Sequence, residues 1–273
     1  MRRFITFLLG SIIIVLIFLV VTGYFFRVPS SDRNWSADQL LLPTANIAGN
    51  QVTISNIRNF SYSDKDTFIP AYYTKTYDLD TLLTVDYVVE QFSGIGAAHT
   101  FLSFGFTDGS YVAISAEIRK EVGEKFSPWL GVLRHYELMY VIADERDVIG
   151  LRANYRHDPV YVYPTTATPA EARTLFLGMV QRANAVHTTP EFYNTFTNTC
   201  TTNIAWHINQ LMPGKIPFDL RFLFPSNSDR MAYELGLLDT RVSLEHLRAT
   251  YLVNDRATTY ATAPDFSQKI RGL

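Results

Sequence analysis

Hydrophobic and polar positions divide this 273-residue chain into one unbroken apolar block followed by many short segments, most of them alternating. Phe4 to Phe26 carries no charged residue, with Arg2 and Arg3 before it and Arg27 after it. As a helix the block is roughly 34 Å long, enough to cross a bilayer with some tilt. It exceeds the apolar region of a cleavable signal peptide and shows no small-residue cleavage site, so it reads as an uncleaved signal anchor with its amino end in the cytoplasm. Beyond it, Gln51–Ser55 and Arg58–Tyr62 alternate as half-buried strands do. Leu82–Phe92 is a further strand, closed by Ser93-Gly94-Ile95-Gly96, and His99–Phe106 and Ser110–Arg119 form a hairpin over Thr107-Asp108-Gly109. Leu130–Ala143 fits a strand or a helix. Pro169–Asn184 is a helix with Thr168 at its N-cap and Glu171 in its first turn, Thr201–Leu211 is a second, ended by Pro213-Gly214, and Met231–Leu238 is a third. The expected class is α+β: an N-terminal transmembrane helix (4–26), a juxtamembrane segment (27–36), and one exported domain (37–273) in which helices pack on an antiparallel sheet.

Register adds chemistry to this outline. A three-residue loop sets Leu102 beside Ile114 and Phe104 beside Val112 on one face of the hairpin, a consistent core. The other face then carries Ser103 beside Ala113 and His99 beside Glu117, with Cβ atoms about 5 Å apart. Slipping by one residue mixes the two sets and breaks the apolar pairs. The favoured register therefore aligns an imidazole with a carboxylate that can orient it. On a wet sheet face the same two residues would be only an exposed ion pair.

Composition narrows the options. A net charge of −2 gives no electrostatic support for nucleic-acid binding. Aromatic residues make up 14% of the chain, which suits apolar or interfacial ligands. No histidine or carboxylate pair has zinc-ligand spacing, so neither a metal nor a cofactor is expected. The single cysteine, Cys200, cannot form an internal disulfide. A lone cysteine is ordinarily a small buried hydrophobe. This one lies in Asn198-Thr199-Cys200-Thr201-Thr202 at the start of a helix, where the helix dipole favours thiolate and free amides suit an oxyanion.

Of the other histidines, His207 shares the helix face of Cys200 but lies about 10 Å along the axis. His157 and His187 fall in turn-like sequence. Ser103 shares the face of His99, but no glycine-flanked elbow marks it as a nucleophile. Arg119, Glu121, Asp144, Glu145, Arg146 and Asp147 read as a solvated ion-pair network. Arg58 or Arg119 is a candidate ligand for a phosphate or glycerol headgroup, Tyr193 and Asn198 are candidates to order the loop around the thiol, and Ser103 and Thr201 are further supporting candidates.

Several motifs then match a family in order: Ile57-Arg58-Asn59-Phe60-x-Tyr62, His99-Thr-Phe-Leu-Ser-Phe-Gly-Phe106, Ser115-x-Glu117-x-Arg119-x-Glu121, Tyr136-Glu137, Asp144-Glu145-Arg146-Asp147, and Pro190-Glu-Phe-Tyr193 through Cys200-Thr201-Thr202. The chain, from about residue 30 to residue 240, resembles the periplasmic domain of the Lnb type, found at the start of a bacterial lipoprotein N-acyltransferase. That family commonly reads Asn-Asn-Cys-Thr where this chain has Thr199 as the second residue. The order histidine, polar partner, cysteine is also similar to permuted NlpC/P60 thiol enzymes, a papain-like core, among which the lecithin:retinol acyltransferase-like enzymes transfer acyl groups.

The resemblance implies that Cys200 attacks an ester carbonyl, His99 shuttles the proton and Glu117 orients His99. The acyl groups would come from phospholipid or lipoprotein, and the domain would sit on the periplasmic side of the inner membrane, held there by Phe4–Phe26. Two other readings use the same residues or fold: a cell-wall cysteine peptidase or amidase, and a non-catalytic envelope assembly factor.

Overall fold

The computed structural model describes residues 2–92 and 96–273. Ser93, Gly94 and Ile95, in the turn expected after the third strand, lie outside the described residues. Ten strands are present among those described: β1 (Thr44–Ala48), β2 (Gln51–Arg58), β3 (Ser61–Tyr62), β4 (Phe68–Ile69), β5 (Tyr72–Asp78), β6 (Leu82–Gln91), β7 (Ala98–Phe106), β8 (Tyr111–Arg119), β9 (Glu137–Ala143) and β10 (Val160–Pro164). The helices are α1 (Arg2–Phe26), α2 (Pro128–Val132), α3 (Glu145–Gly150), α4 (Pro169–Thr188), α5 (Cys200–Leu211), α6 (Ser228–Glu234), α7 (Leu244–Tyr251), α8 (Asn254–Thr259) and α9 (Phe266–Lys269).

The main sheet runs β1-β2-β9-β8-β7-β6-β10, with β5 also on β2. All its pairings are antiparallel except β2 with β9, which meet in parallel at Arg58 and Ala143. The β7–β8 hairpin takes the favoured register, with Leu102 opposite Ile114 and Phe104 opposite Val112. Gly109 supplies the left-handed residue of its turn, at φ 79°. The ambiguous stretch before Ala143 splits: Ser127-Pro128 starts the short α2, and the apolar run from Glu137 becomes β9, buried along its whole length. Helix α4 opens on a full capping box between Thr168 and Glu171.

One sheet face packs Ile54, Leu102, Phe104, Ile114 and Tyr140 against α4 and α5 through Phe176, Met179 and Ile204. The opposite face is also covered. Val88, Phe101, Ala113, Met139 and Val141 pack under Val148 of α3 and under Val253, Ala257, Phe266 and Ile270 near the C-terminus. The sheet is therefore the middle of three layers, and the face of His99 is not wet.

Its polar residues are paired inside instead. Ser103 donates to Glu145, and Arg271 bridges Glu145 and Asp86. Glu145 and Asp147 are fully buried and Arg119 nearly so, which corrects the expectation of a solvated network. Asp147 accepts both arms of Arg58 at 3.0 Å, together with Phe60 N–H and Tyr62 Oη.

The segment after α1 is fastened to the domain. Arg27 donates to the Arg134 carbonyl at 3.0 Å, Arg33 pairs with Glu137 at 2.8 Å, and the buried Trp35 ring lies 4.1 Å from the Arg119 guanidinium. Arg119 also donates to the Gln39 and Leu40 carbonyls, so it clamps the incoming chain. Helix α1 itself is long and apolar enough to cross a membrane, and none of its hydrophobic window is buried against the domain.

Candidate active site

Helix α5 begins at Cys200, one residue before the start expected from the sequence, because Thr199 caps it. The Thr199 hydroxyl accepts the Thr202 N–H, and the Thr202 hydroxyl accepts the Thr199 N–H at 2.7 Å. Asn203 N–H closes on the Thr199 carbonyl at 3.0 Å. Capping thus uses the amides of 199, 202 and 203. Among the described residues the Cys200 and Thr201 N–H groups have no acceptor, and both flank the thiol. Two unpaired first-turn amides beside a nucleophile form the donor pair that a tetrahedral oxyanion requires. Threonine is a favoured capping residue, so Thr199 suffices to hold this arrangement.

The loop before α5 is held by side chains. Asn203 donates to Asn198 at 2.9 Å, and Asn198 donates to the Phe192 carbonyl at 3.0 Å. Tyr193 is buried beside the thiol.

β7 brings His99 to the same place. Its Nε2 lies 2.7 Å from Ser115 Oγ and 3.4 Å from Glu117 Oε1, both on β8. With Nε2 so engaged, Nδ1 is the ring nitrogen left for the thiol. Glu117 also accepts from Arg152 at 3.1 Å, and Arg152 donates to Glu90 at 2.7 Å, which pairs in turn with Arg156 at 3.1 Å. Glu90 is the cross-strand neighbour of His99 on β6. The imidazole therefore sits between two acids that Arg152 bridges, with Arg156 supplying the second positive charge on Glu90.

Burial alone would raise the Cys200 pKa, but the positive charge and hydrogen bond of His99, with further bonds from Thr100, bring it down to about 6. Burial would likewise lower His99, and the charges of Cys200 and Glu117 instead raise it to about 9. Glu117 lies well below the usual carboxylate range: burial opposes this, and His99 and Arg152 outweigh it. Both shifts favour the same state of the pair, a thiolate beside an imidazolium.

Cys200, His99 and Glu117 share a cavity of about 390 Å³ whose wall also includes Phe68, Phe92 and Phe126. Arg58, Tyr193 and Thr201 line it as well. Asn198 stands behind it as a loop brace. Ser103 and Arg119 are placed elsewhere, in the Glu145 network and on Trp35.

The structure adds Ser115, Thr100, Glu90 and Arg152 to the residues singled out in the sequence. Ser115 was legible in principle, since it lies one diagonal step from His99 on the expected face. His207 is buried on α5 against Tyr140, 3.2 Å away, with its pKa lowered to about 4 by burial and by Arg182. It faces away from the cavity lining.

The sequence profile of the family described as the Lnb N-terminal periplasmic domain matches residues 69–226, more than half of the chain. No curated protein and no solved structure matches. The matched span includes β6 to β8, the cysteine loop and α5.

Proposed function

The chain belongs to the family of Lnb N-terminal periplasmic domains, and from that premise we propose that it is a membrane-anchored, extracytoplasmic thiol enzyme that moves or hydrolyses lipid acyl groups. The periplasmic family and the apolar α1 fit a single-pass membrane protein with the domain outside the cytoplasm. In the proposed reaction the Cys200 thiolate attacks the carbonyl carbon of a phospholipid or lipoprotein ester, and a C–S bond forms. The oxyanion is held by the Cys200 and Thr201 amides. As it collapses, the C–O bond breaks and His99 passes its proton to the departing alcohol. An amine or water then attacks the thioester, gives its proton to His99, and releases the thiolate. Glu117 and Ser115 hold the ring at Nε2 throughout and leave Nδ1 for the proton transfers.

The observation that carries this reading is the meeting of Cys200, His99 and Glu117 in one cavity beside two unpaired amides. Phe68, Phe92 and Phe126 give an acyl ester an apolar wall, while Gln39, Lys65 and Lys120 leave polar partners for a wall peptide, so the two readings are separated by the adduct that forms. Intact mass spectrometry of the purified chain after incubation with phospholipid or diacylated lipopeptide tests it. The expected result is one acyl group per chain, removed by neutral hydroxylamine and absent in Cys200→Ala. Release of a peptidoglycan peptide with no acyl adduct would turn the assignment to a peptidase.

A further inference from the structure

A second cavity, of about 140 Å³, lies directly behind the first. Its lining is mostly aliphatic and includes Leu102, Leu175, Ile204, Ala205, Ile208 and Ala232, from β7, α4, α5 and α6. The space is a partly open groove and not a sealed void, so an apolar ligand larger than the 140 Å³ it encloses can lie along its aliphatic wall. Two residues, Thr201 and Phe222, line both cavities, so the two spaces meet at these side chains. Tyr87 lines the second cavity and stands near enough to Cys200 that a thiolate there resists loss of the phenolic proton, in the same direction as its burial. Its hydroxyl is already spent on Ser228, 2.7 Å away.

From this continuity we propose that the second cavity is the binding site for the alkyl chain of an acyl group whose carbonyl carbon is at Cys200. This rests on the acyl-thioester reading and adds the place where the chain goes. Cys200, Thr201, Ile204, Ala205 and Ile208 follow one another along a face of α5. A carbonyl held at the helix N-terminus therefore has an apolar trough running on past it, from Thr201 to Met212, roughly 16 Å along the axis. A peptide substrate has no use for such a wall, which offers few partners for amide groups. Narrowing the trough should penalise long chains and leave short ones little affected.

Two measurements on the full chain in detergent test this separately. In the first, Cys200→Ser is photolysed with palmitate carrying a terminal alkyl diazirine, and the labelled peptides are mapped. Labels on 204–212 or 231–238 are expected; labels confined to α1 or to exposed residues would overturn the site. In the second, Ala205→Phe and Ala232→Phe are made independently, and thermal unfolding identifies the folded ones. The ratio of palmitoyl to butyryl transfer from p-nitrophenyl esters to Cys200 should fall at least tenfold. An unchanged ratio in a folded variant overturns the proposal. Failure of the unsubstituted protein to form any thioester would refute the acyl-transfer reading, while the diazirine map would still decide whether the cavity holds an alkyl chain.

Discussion

Replacing His99 by alanine should change the pH at which Cys200 reacts far more than its rate at neutrality. The thiol lies at about 6 against an ordinary value of 9.0, and His99 heads the influences that lower it. Without the imidazolium, burial remains, and the thiol returns to about 9 or higher. At pH 7 the thiolate fraction then drops from about nine-tenths to about one-hundredth. Intrinsic nucleophilicity moves the other way, since a Brønsted slope of about 0.45 over three pH units makes the more basic thiolate roughly twentyfold faster. The net loss at pH 7 is therefore only about fivefold. At pH 5.5 it grows to about fortyfold, and above about pH 7.7 the variant overtakes the parent. Iodoacetamide alkylation followed by mass spectrometry from pH 5 to 10 measures this directly. A midpoint that is the same in both proteins would refute the ion pair, and a uniform loss at all pH values would point to disturbed folding.

Glu117→Gln should lower acyl transfer less than His99→Ala, whose loss is roughly hundredfold or more, because Ser115 still holds Nε2; an equal loss in turnover assays would make Glu117 more than an orienting group. Thr199→Ala should cost about 1 kcal/mol through loss of the cap, whereas Thr199→Asn should stay within a few tenths of the parent in chemical denaturation. Asp147→Asn removes the partner of a buried arginine and should cost about 3–5 kcal/mol, lowering the unfolding midpoint by about 10 °C or more in calorimetry; a change below 1 kcal/mol would contradict the pairing. Stability should be nearly flat between about pH 7 and 8.5 where the Cys200–His99 pair is concerned. The raised His99 contributes stability that is lost as pH rises through about 9, and the depressed Cys200 contributes stability that is lost as pH falls through about 6. Over the interval between them the folded pair and the unfolded pair each bind one proton, so the two slopes cancel; urea titrations that show a steep slope there would contradict the assignment.

The hairpin that carries His99 and Glu117 was legible because apolar alternation and a three-residue turn agree on one register. The start of α5 was legible from Thr199 and the apolar run after Cys200. The burial of the His99 face was not, because what covers it has little pattern to display. Helix α8 is Asn254–Thr259 and α9 is Phe266–Lys269, too short for a helical period to repeat. Between β9 and β10, α3 passes into a π-helical turn, Leu151–Tyr155, which moves Arg152 off an ordinary helical spacing and into the site. Without that cover, Glu90, Asp86 and Glu145 look like surface acids. Under it, each needs an arginine from far along the chain.

The fastened segment between α1 and β1 has a mechanical consequence. A free linker spanning residues 27–36 would let the domain wander by about 17 Å at its root. Arg27 on the Arg134 carbonyl, Arg33 on Glu137 and Trp35 under Arg119 turn that tether into a stalk. With α1 in a bilayer, the mouth of the Cys200 cavity keeps one height and one tilt above the lipid surface. Under the proposed acyl transfer, that height would work as a ruler: a carbonyl riding at the wrong distance from the membrane would be rejected before any pocket touched it.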